Sequence, residues 1–451
     1  MAGALWSPAL RHPTLRTLMT LDPARLPRYS TAGGSLNSLN TIAHVAIASP
    51  APAARRLELL DALRGFALLG VLLVNLRSFS LYEFISPSQR DALPTAAWDR
   101  VIALAMELLV DAKSITLFTL LFGAGFAMQL NRRDATFGSR THVMRLHARR
   151  MLVLLAIGLV HAYLFWWGDT LRCYALLGLM LLAFTKLSPR TLAVLGIGTA
   201  VVLPVLLQPW LPGLLPTQAT RMQASAAAWS AFVSGDWATM LQGNLARDRH
   251  MRVAVWSLPL LVLGGLLIGM AIGRAGVLQE SIVHRRFWIR MLRASVGTGV
   301  AAAVLLVLRD HNGTGAVAEW LREGAGVPLA RLLQEAAPLA QGLFYMSAFV
   351  LLFQQAAWRH WLRRLAPMGR MALTNYIAQT LFGLGLFYGV GLGLGPQFGL
   401  VGVLLFGVAM FVLQALFSCW WLGRFRFGPA EWVWRSLAYG KAQPMRLVSV
   451  A

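Results

Sequence analysis

The chain has 451 residues, of which 57% are hydrophobic and only 13% charged, with a formal charge of +23. A soluble domain carries about 25% charged residues, so an ordinary soluble protein is excluded. A nucleic-acid partner is not expected either: the Arg residues fall in clusters between apolar runs, as in the cytoplasmic loops of membrane proteins. Anionic membrane lipids are the natural counter-charge.

Residues 1–54 contain Pro, Ser, Thr and Arg with a single acid, Asp22. They hold no apolar run long enough for a signal-peptide core, and a disordered cytoplasmic tail is expected. From Leu57 onward, apolar runs near 20 residues recur. A hydrocarbon core about 30 Å thick requires about 20 residues of helix. Hydropathy predicts ten spans, at 62–82, 102–130, 151–167, 170–186, 190–209, 253–273, 292–308, 336–357, 372–390 and 399–422. The first half of the second is weak and amphipathic, with Glu107 and Asp111. The expected organisation is an N-terminal transmembrane region over 55–210, a periplasmic loop over 211–252 and a C-terminal transmembrane region over 253–445.

Loop charge orients these spans. The gaps after spans 2, 4, 6 and 8 hold Arg132, Arg133, Arg140, Arg145, Arg149 and Arg150, then Lys186 and Arg190, then Arg274, Arg285, Arg286, Arg290 and Arg293, then Arg359, Arg363, Arg364 and Arg370. The tail adds Arg424, Arg426, Arg435, Lys441 and Arg446, whereas the 168–170 and 391–398 connections hold no Lys or Arg. Because Lys and Arg resist translocation, the alternation predicts an all-α, multi-pass protein of a bacterial inner membrane with both termini cytoplasmic. The two cysteines, Cys173 and Cys419, lie in apolar stretches. They show no CxxC or zinc spacing, and no metal site is expected.

Ionisable groups at membrane depth are costly and rarely face lipid, so they are the places to seek chemistry. Asp61 and Arg64 lead into the first span three residues apart, so they share a helical face and can pair. Asn75 follows eleven residues after Arg64 on the same face, roughly 16 Å deeper. His161, Asp169 and Arg172 lie at the outer end of the hairpin of spans 3 and 4, where Trp166 and Trp167 mark the interface. A histidine beside an acid can serve as a general base oriented by the carboxylate. Equally, Asp169 can cap the next helix and His161 can bond a neighbouring one. Asn375 and Gln379, at i and i+4 in the ninth span, share a face that Gln414 of the tenth could meet, as interhelical hydrogen bonds or as substrate contacts.

Five segments together carry a family resemblance: Leu-Asp61-Ala-Leu-Arg64-Gly through Asn75, Leu117-Phe118 through Phe122-Gly123-Ala-Gly125-Phe, Gly158 through His161 to Gly168-Asp169, Gly369-Arg370-Met-Ala-Leu-Thr-Asn375-Tyr376, and Phe427-Gly428-Pro429-Ala-Glu431-Trp432-Val-Trp434-Arg435. The chain resembles, over about 55–445, the YeiB-like bacterial membrane proteins, whose C-terminal half is a domain of unknown function 418. The closing Phe-Gly-Pro-x-Glu-Trp motif is the most specific part. The first span is also similar, more distantly, to the transmembrane acyltransferases that acylate sugars. There an Asp-x-x-Arg-Gly pattern opens the first helix, and a catalytic His follows the Arg with ten residues between. Here Asp61 and Arg64 match, but the His position is Asn75, and an amide cannot accept a proton as a base. The resemblance therefore implies either that the base has moved to His161 or that acyl transfer is lost.

The expected function is that of an acyltransferase-like protein modifying an envelope glycan or lipid, with acyl-CoA as a possible donor near Asp61 and Arg64. His161 and Asp169 would be catalytic, and Asn75, Arg172, Asn375 and Gln379 would contact substrate. The alternatives are a transporter or flippase of a small polar or acylated compound, using the same groups as a binding track, and a non-catalytic membrane scaffold.

Overall fold

A run of twenty apolar residues in lipid must satisfy its own backbone, which leaves the helix as the local solution. A computed structural model describes residues 58–111, 113–131, 140–310 and 315–447. The expected N-terminal tail lies outside these. Among the described residues every element is helical, apart from an isolated bridge between Phe425 and Arg446. The main helices are α1 Glu58–Phe79, α2 Ala96–Leu109, α3 Lys113–Asn131, α4 Arg140–Leu164, α5 Leu171–Met180, α6 Pro189–Trp210, α7 Gln218–Val233, α8 Trp237–Ala254, α9 Leu258–Arg274, α10 Arg285–Asp310, α11 Val327–Phe353, α12 Ala372–Phe387, α13 Gly399–Leu422 and α14 Pro429–Tyr439, with short helices at Pro87–Asp91, Ala316–Arg322, Ala356–Leu362 and Ala366–Arg370. A 3₁₀ turn, Leu181–Phe184, extends α5, and a π turn, Gly198–Val202, interrupts α6.

The protein is an all-α membrane protein. Five helices, α1, α6, α10, α11 and α13, are long and apolar enough to cross a membrane. The pair α8 and α9, bent by 70° at its junction, makes a sixth if taken as one broken span. Outward-facing apolar stripes mark the lipid side. Val296, Val300, Val304 and Val307 line one face of α10, and Leu405, Val408, Val412 and Leu416 one face of α13, all exposed. Such stripes greatly exceed what a soluble surface tolerates.

Three segments differ from the hydropathy reading. The run 102–130 is two helices, broken where Asp111 turns to pair with Arg77 of α1. Its first half, α2, leaves Trp98, Val101, Leu104 and Leu108 exposed. The 211–252 stretch is largely helical. Thr217 and Asp236 cap α7 and α8 by accepting the amides of Thr220 and Thr239, and Gly235, at φ 73°, makes the turn between them. The C-terminal tail folds as α14, ended by Gly440 in the left-handed conformation.

Small residues set the closest crossings. A Cβ at Gly123 of α3 would fall on the carbonyl of Leu266 in α9, and one at Gly269 of α9 on the carbonyl of Leu120 in α3. The two backbones meet through reciprocal glycines, as expected where van der Waals packing drives association. The first-span and Gly369 motifs meet in the same way: a Cβ at Gly65 would strike Leu365, and one at Gly369 would strike the backbone of Asp61. Leu63, Leu120, Leu121, Trp288, Met346 and Val350 fill the core around these crossings.

These contacts define two ends of the bundle. At one, Asn131 donates to the carbonyl of Gly273, and Arg274 to that of Leu187. There too Arg150 reaches Gln129 and Tyr439, and Gln354 reaches the carbonyl of Ser281. At the other, Phe79 packs on Trp166 at 4.6 Å, Gly389 donates to Phe232, and Asp99 accepts the amide of Val401 at the start of α13.

Candidate functional site

The hairpin of α4 and α5 is drawn tight at Gly158, where a Cβ would press on the backbone nitrogen of Arg172. That closeness sets His161, near the end of α4, opposite Asp169, just before α5. Asp169 uses both oxygens: Oδ1 accepts the Arg172 amide at 3.0 Å, capping the first turn of α5, and Oδ2 lies 2.8 Å from Nδ1 of His161. The other imidazole nitrogen, Nε2, lies 3.0 Å from the Thr380 hydroxyl on α12. With a carboxylate as its partner, Nδ1 is assigned the proton, and Nε2 then accepts from the Thr380 hydroxyl, for which it is a nearer acceptor than the Tyr376 carbonyl at 3.5 Å. His161 is 3% exposed and Thr380 is fully buried, with the Tyr376 ring 5.1 Å from the imidazole. A carboxylate that orients a histidine whose free nitrogen meets a hydroxyl is the arrangement by which a general base activates an alcohol.

A string of alternating charges continues from this centre. Arg172 lies 3.4 Å from Asp169 and grips Asp248 of α8 with both terminal nitrogens, at 2.6 and 3.1 Å. Asp248 in turn accepts from Arg252, at 2.9 Å and i+4 on the same helix. Asn244, one turn earlier, donates to the carbonyl of Ala162 and fixes α8 against the hairpin. Two cations and two anions cancel, and the exposed Arg252 leaves only Asp169, Arg172 and Asp248 buried, which makes their burial tolerable.

Beside it, at the same end of the bundle, Phe79, Phe84, Trp166, Trp167, Phe232 and Tyr388 pack ring on ring. The Arg247 guanidinium sits 5.0 Å from the centres of both the Phe84 and Trp167 rings and 3.5 Å from Glu83. Burial pushes the Glu83 carboxyl above its ordinary range, against the pull of Arg247 and Arg77. Four buried atoms here, Nε1 of Trp166, Nε1 of Trp167, Nε of Arg247 and the hydroxyl of Tyr388, complete no hydrogen bond of good geometry within the protein. Each such group costs about 1–3 kcal/mol, and native proteins hold only a few.

The remaining expected residues are placed as follows. Asp61 and Arg64 form an ion pair at 3.1 Å, and the Arg64 guanidinium lies against Gly125 of α3 rather than lipid. Asn75 is half-buried farther along α1. Asn375 bonds Ser418, and Gln379 bonds Gln414, which also reaches the carbonyl of Asn375; this ladder joins α12 to α13. The structure thus gathers His161, Asp169 and Arg172, while Asp61 and Arg64 sit apart at the opposite end of α1. Glu431 of the closing motif accepts the amides of Leu373 and Thr374 and the Thr374 hydroxyl, capping the helix that carries Thr380. Gly428 leaves room for that carboxylate. Thr380, Asp248 and Asn244 were not singled out in the sequence. Only the i, i+4 spacing of Asp248 and Arg252 offered a signal for any of them.

A family model described as "Protein of unknown function (DUF418)" matches residues 272–441. The uncharacterized protein YxaH of Bacillus subtilis (strain 168) is 31% identical over 418 residues, 86% of this chain and 96% of the relative. The uncharacterized protein YeiB of Escherichia coli (strain K12) is 31% identical over 395 residues, 85% of this chain and 97% of the relative. An uncharacterized 39.9 kDa protein of Bacillus acidopullulyticus is 28% identical over 400 residues, 87% of this chain and 96% of the relative. No solved structure matches.

Proposed function

We infer that the chain, which belongs to the family of the uncharacterized proteins YeiB and YxaH, is a membrane-embedded transferase that acylates a hydroxyl of an envelope glycan or lipid. The observation that supports this reading is the buried Asp169, His161 and Thr380 relay. Thr380 holds the place that an acceptor hydroxyl takes. A χ1 step of about 120° moves its own hydroxyl aside, and the acceptor then donates to Nε2 of His161. The acceptor oxygen attacks the carbonyl carbon of a thioester donor such as acyl-CoA as His161 takes the proton. The carbon–sulfur bond breaks, and the departing thiolate regains the proton from His161. Asp169 holds the imidazole in one tautomer throughout and balances the imidazolium.

The Asp61 and Arg64 pair suits the donor's anionic head, since a guanidinium can hold a phosphate by two parallel hydrogen bonds. Asp61 packs on Gly369, and Thr380 lies eight residues into α12, roughly 12 Å along its axis. A donor seated at Arg64 therefore needs an arm of that order to present its acyl carbon to His161. We place this reaction in a bacterial inner membrane, with the Arg64 end cytoplasmic.

The test is untargeted mass spectrometry of envelope lipids and glycans from cells with the gene intact, deleted, and restored as wild type or His161→Gln. An acylated species should vanish on deletion, return with the wild type and fall by about 10²–10⁴-fold with His161→Gln. The same acyl profile in all four strains rejects the transferase. The charge string from the exposed Arg252 to the buried centre favours a second reading, a transporter of a small polar compound. In that case, deletion abolishes uptake or export of a compound and leaves no acylated product missing.

A further inference from the structure

We propose that the end of the bundle where α10 begins and α11 ends seats the headgroup of an anionic phospholipid, with Arg286, Arg359, Arg363 and Arg364 meeting its charge and Trp358 and Trp361 lying at headgroup depth. Such a site is independent of any reaction at His161. Charge leads there first. Residues 281–309 and 336–430 contain no Asp or Glu, so the cations they carry have no acid within their own segments. Among the described residues, Arg286, Arg359, Arg363 and Arg364 enter no ion pair, and all four are exposed. The acid just before the first run, Glu280, is exposed as well.

The two segments are joined. Gln354, the C-cap of α11, donates to the carbonyl of Ser281 at 2.9 Å, just before α10. Leu362 and Leu365 pack on the same core as Trp288 and Phe353, so the short helix Ala356–Leu362 lies beside the start of α10. The Arg364 guanidinium stacks 4.2 Å from the centre of the Trp361 ring and lies 3.0 Å from Nε2 of His360. A guanidinium stacked on a ring keeps its N–H edge for a phosphate, which it can hold by two parallel hydrogen bonds.

Position selects a lipid over a soluble anion. Arg286, Arg293, Val300 and Val307 recur at seven-residue steps, nearly two helical turns, so they share one face of α10. Val300 and Val307 belong to the exposed stripe on the lipid side, and the two arginines extend that face past its end. Phosphate at the arginines and acyl chains along the valines is the layout of a phospholipid. Ile282, Val283, Trp358 and Trp361 are each half exposed or more, an apolar fringe that a dissolved anion leaves in water and that a membrane interface accepts. The uncompensated charge selects an anionic headgroup over a zwitterionic one. Arg363 and Arg364 lead directly into Leu365, whose carbonyl abuts Gly65 of α1, so a headgroup held here braces the α1 joint.

The experiment takes two readouts on the purified full chain in detergent: lipid adducts by native mass spectrometry, and the melting temperature. Phosphatidylglycerol or phosphatidylethanolamine is added for both, and sodium phosphate for the second. The wild type should retain phosphatidylglycerol in preference and melt higher with it, as for any ligand that binds only the folded state. Arg359→Gln, Arg363→Gln and Arg364→Gln together should lower that retention about tenfold or more. The same charge removed at Arg145, Arg426 and Arg446, exposed elsewhere, should leave it nearly unchanged. Trp361→Leu, at an exposed position and with every charge kept, should also weaken retention, and it serves if the triple variant does not accumulate. Equal retention of the two lipids by the wild type overturns the proposal. So does an equal loss in the two triple variants, the mark of net charge acting without a site, and so does unaltered retention in the patch variants. A melting temperature raised as much by phosphate as by phosphatidylglycerol assigns the patch to a soluble anion and overturns it too.

Discussion

His161 and Asp169 were readable as a pair because a turn containing Gly168 joins them, and a hairpin at that spacing can only fold them together. Thr380 was not. A threonine in an apolar helix is ordinary, and its partner lies 219 residues away in the chain. Asp248 was hidden differently, in a stretch whose polarity reads as loop, although Arg172 needs a counter-charge from somewhere. Its removal tests how much of the site's stability rests on that pairing. Asp248→Ala leaves the buried Arg172 guanidinium without its main partner and should destabilise the protein by about 3–5 kcal/mol, seen as a lower melting temperature in detergent. Adding Arg172→Met should recover part of the loss. If the double variant melts no higher than Asp248→Ala alone, the two residues are not coupled.

At the scale of elements, the motifs that carried the family resemblance turn out to be largely joints. Gly65 and Gly369 set α1 against the Ala366–Arg370 turn, and Glu431 caps α12. The residues of the Phe-Gly-Pro-x-Glu-Trp motif were legible as a signature, but their task was not, because the amides that Glu431 caps lie 58 and 57 residues earlier. Glu431→Ala uncovers two backbone donors and should cost about 2 kcal/mol, with Glu431→Gln costing less, measured by thermal unfolding. The α3 and α9 crossing is less forgiving. Gly269→Leu drives a side chain into the carbonyl of Leu120, and the variant should fail to accumulate in membranes, whereas Gly297→Ala, facing open space in α10, should accumulate normally. Equal levels of the two would show that the glycine contact is dispensable. Helix boundaries were legible where apolar runs stop at Arg clusters. The break at Asp111 was not, since it goes with the long-range pairing to Arg77, whereas the 70° bend before Leu258 has a local signal in Pro259, in the first turn of α9.

At the scale of the molecule, Arg150 and Arg274, from two of the Arg-rich gaps, make their contacts at one end of the bundle. The turn at Leu187 meets the end of α9 through Arg274, and the first half of α4 meets α14 through Arg150 and Tyr439. We propose ten crossings, by α1, α3, α4, α5, α6, α9, α10, α11, α12 and α13, with α7 and α8 on the periplasmic side. In a Cys173→Ala, Cys419→Ala background, an impermeant thiol reagent should label Ser234→Cys in intact spheroplasts, and label Val283→Cys only after lysis. The reverse pattern would invert the orientation.

The cancelling charges of Arg252, Asp248, Arg172 and Asp169 bear on energetics of another kind. A single elementary charge moved across the bilayer does electrical work of about 2.3 kcal/mol per 100 mV of membrane potential. A neutral quartet that shifts as one body, to admit a substrate or release a product, does almost none. The cycle should therefore run equally in energised and depolarised membranes. Product formation that is unchanged after an ionophore collapses the potential would bear this out; a steep dependence would mean that one member of the quartet moves without the others.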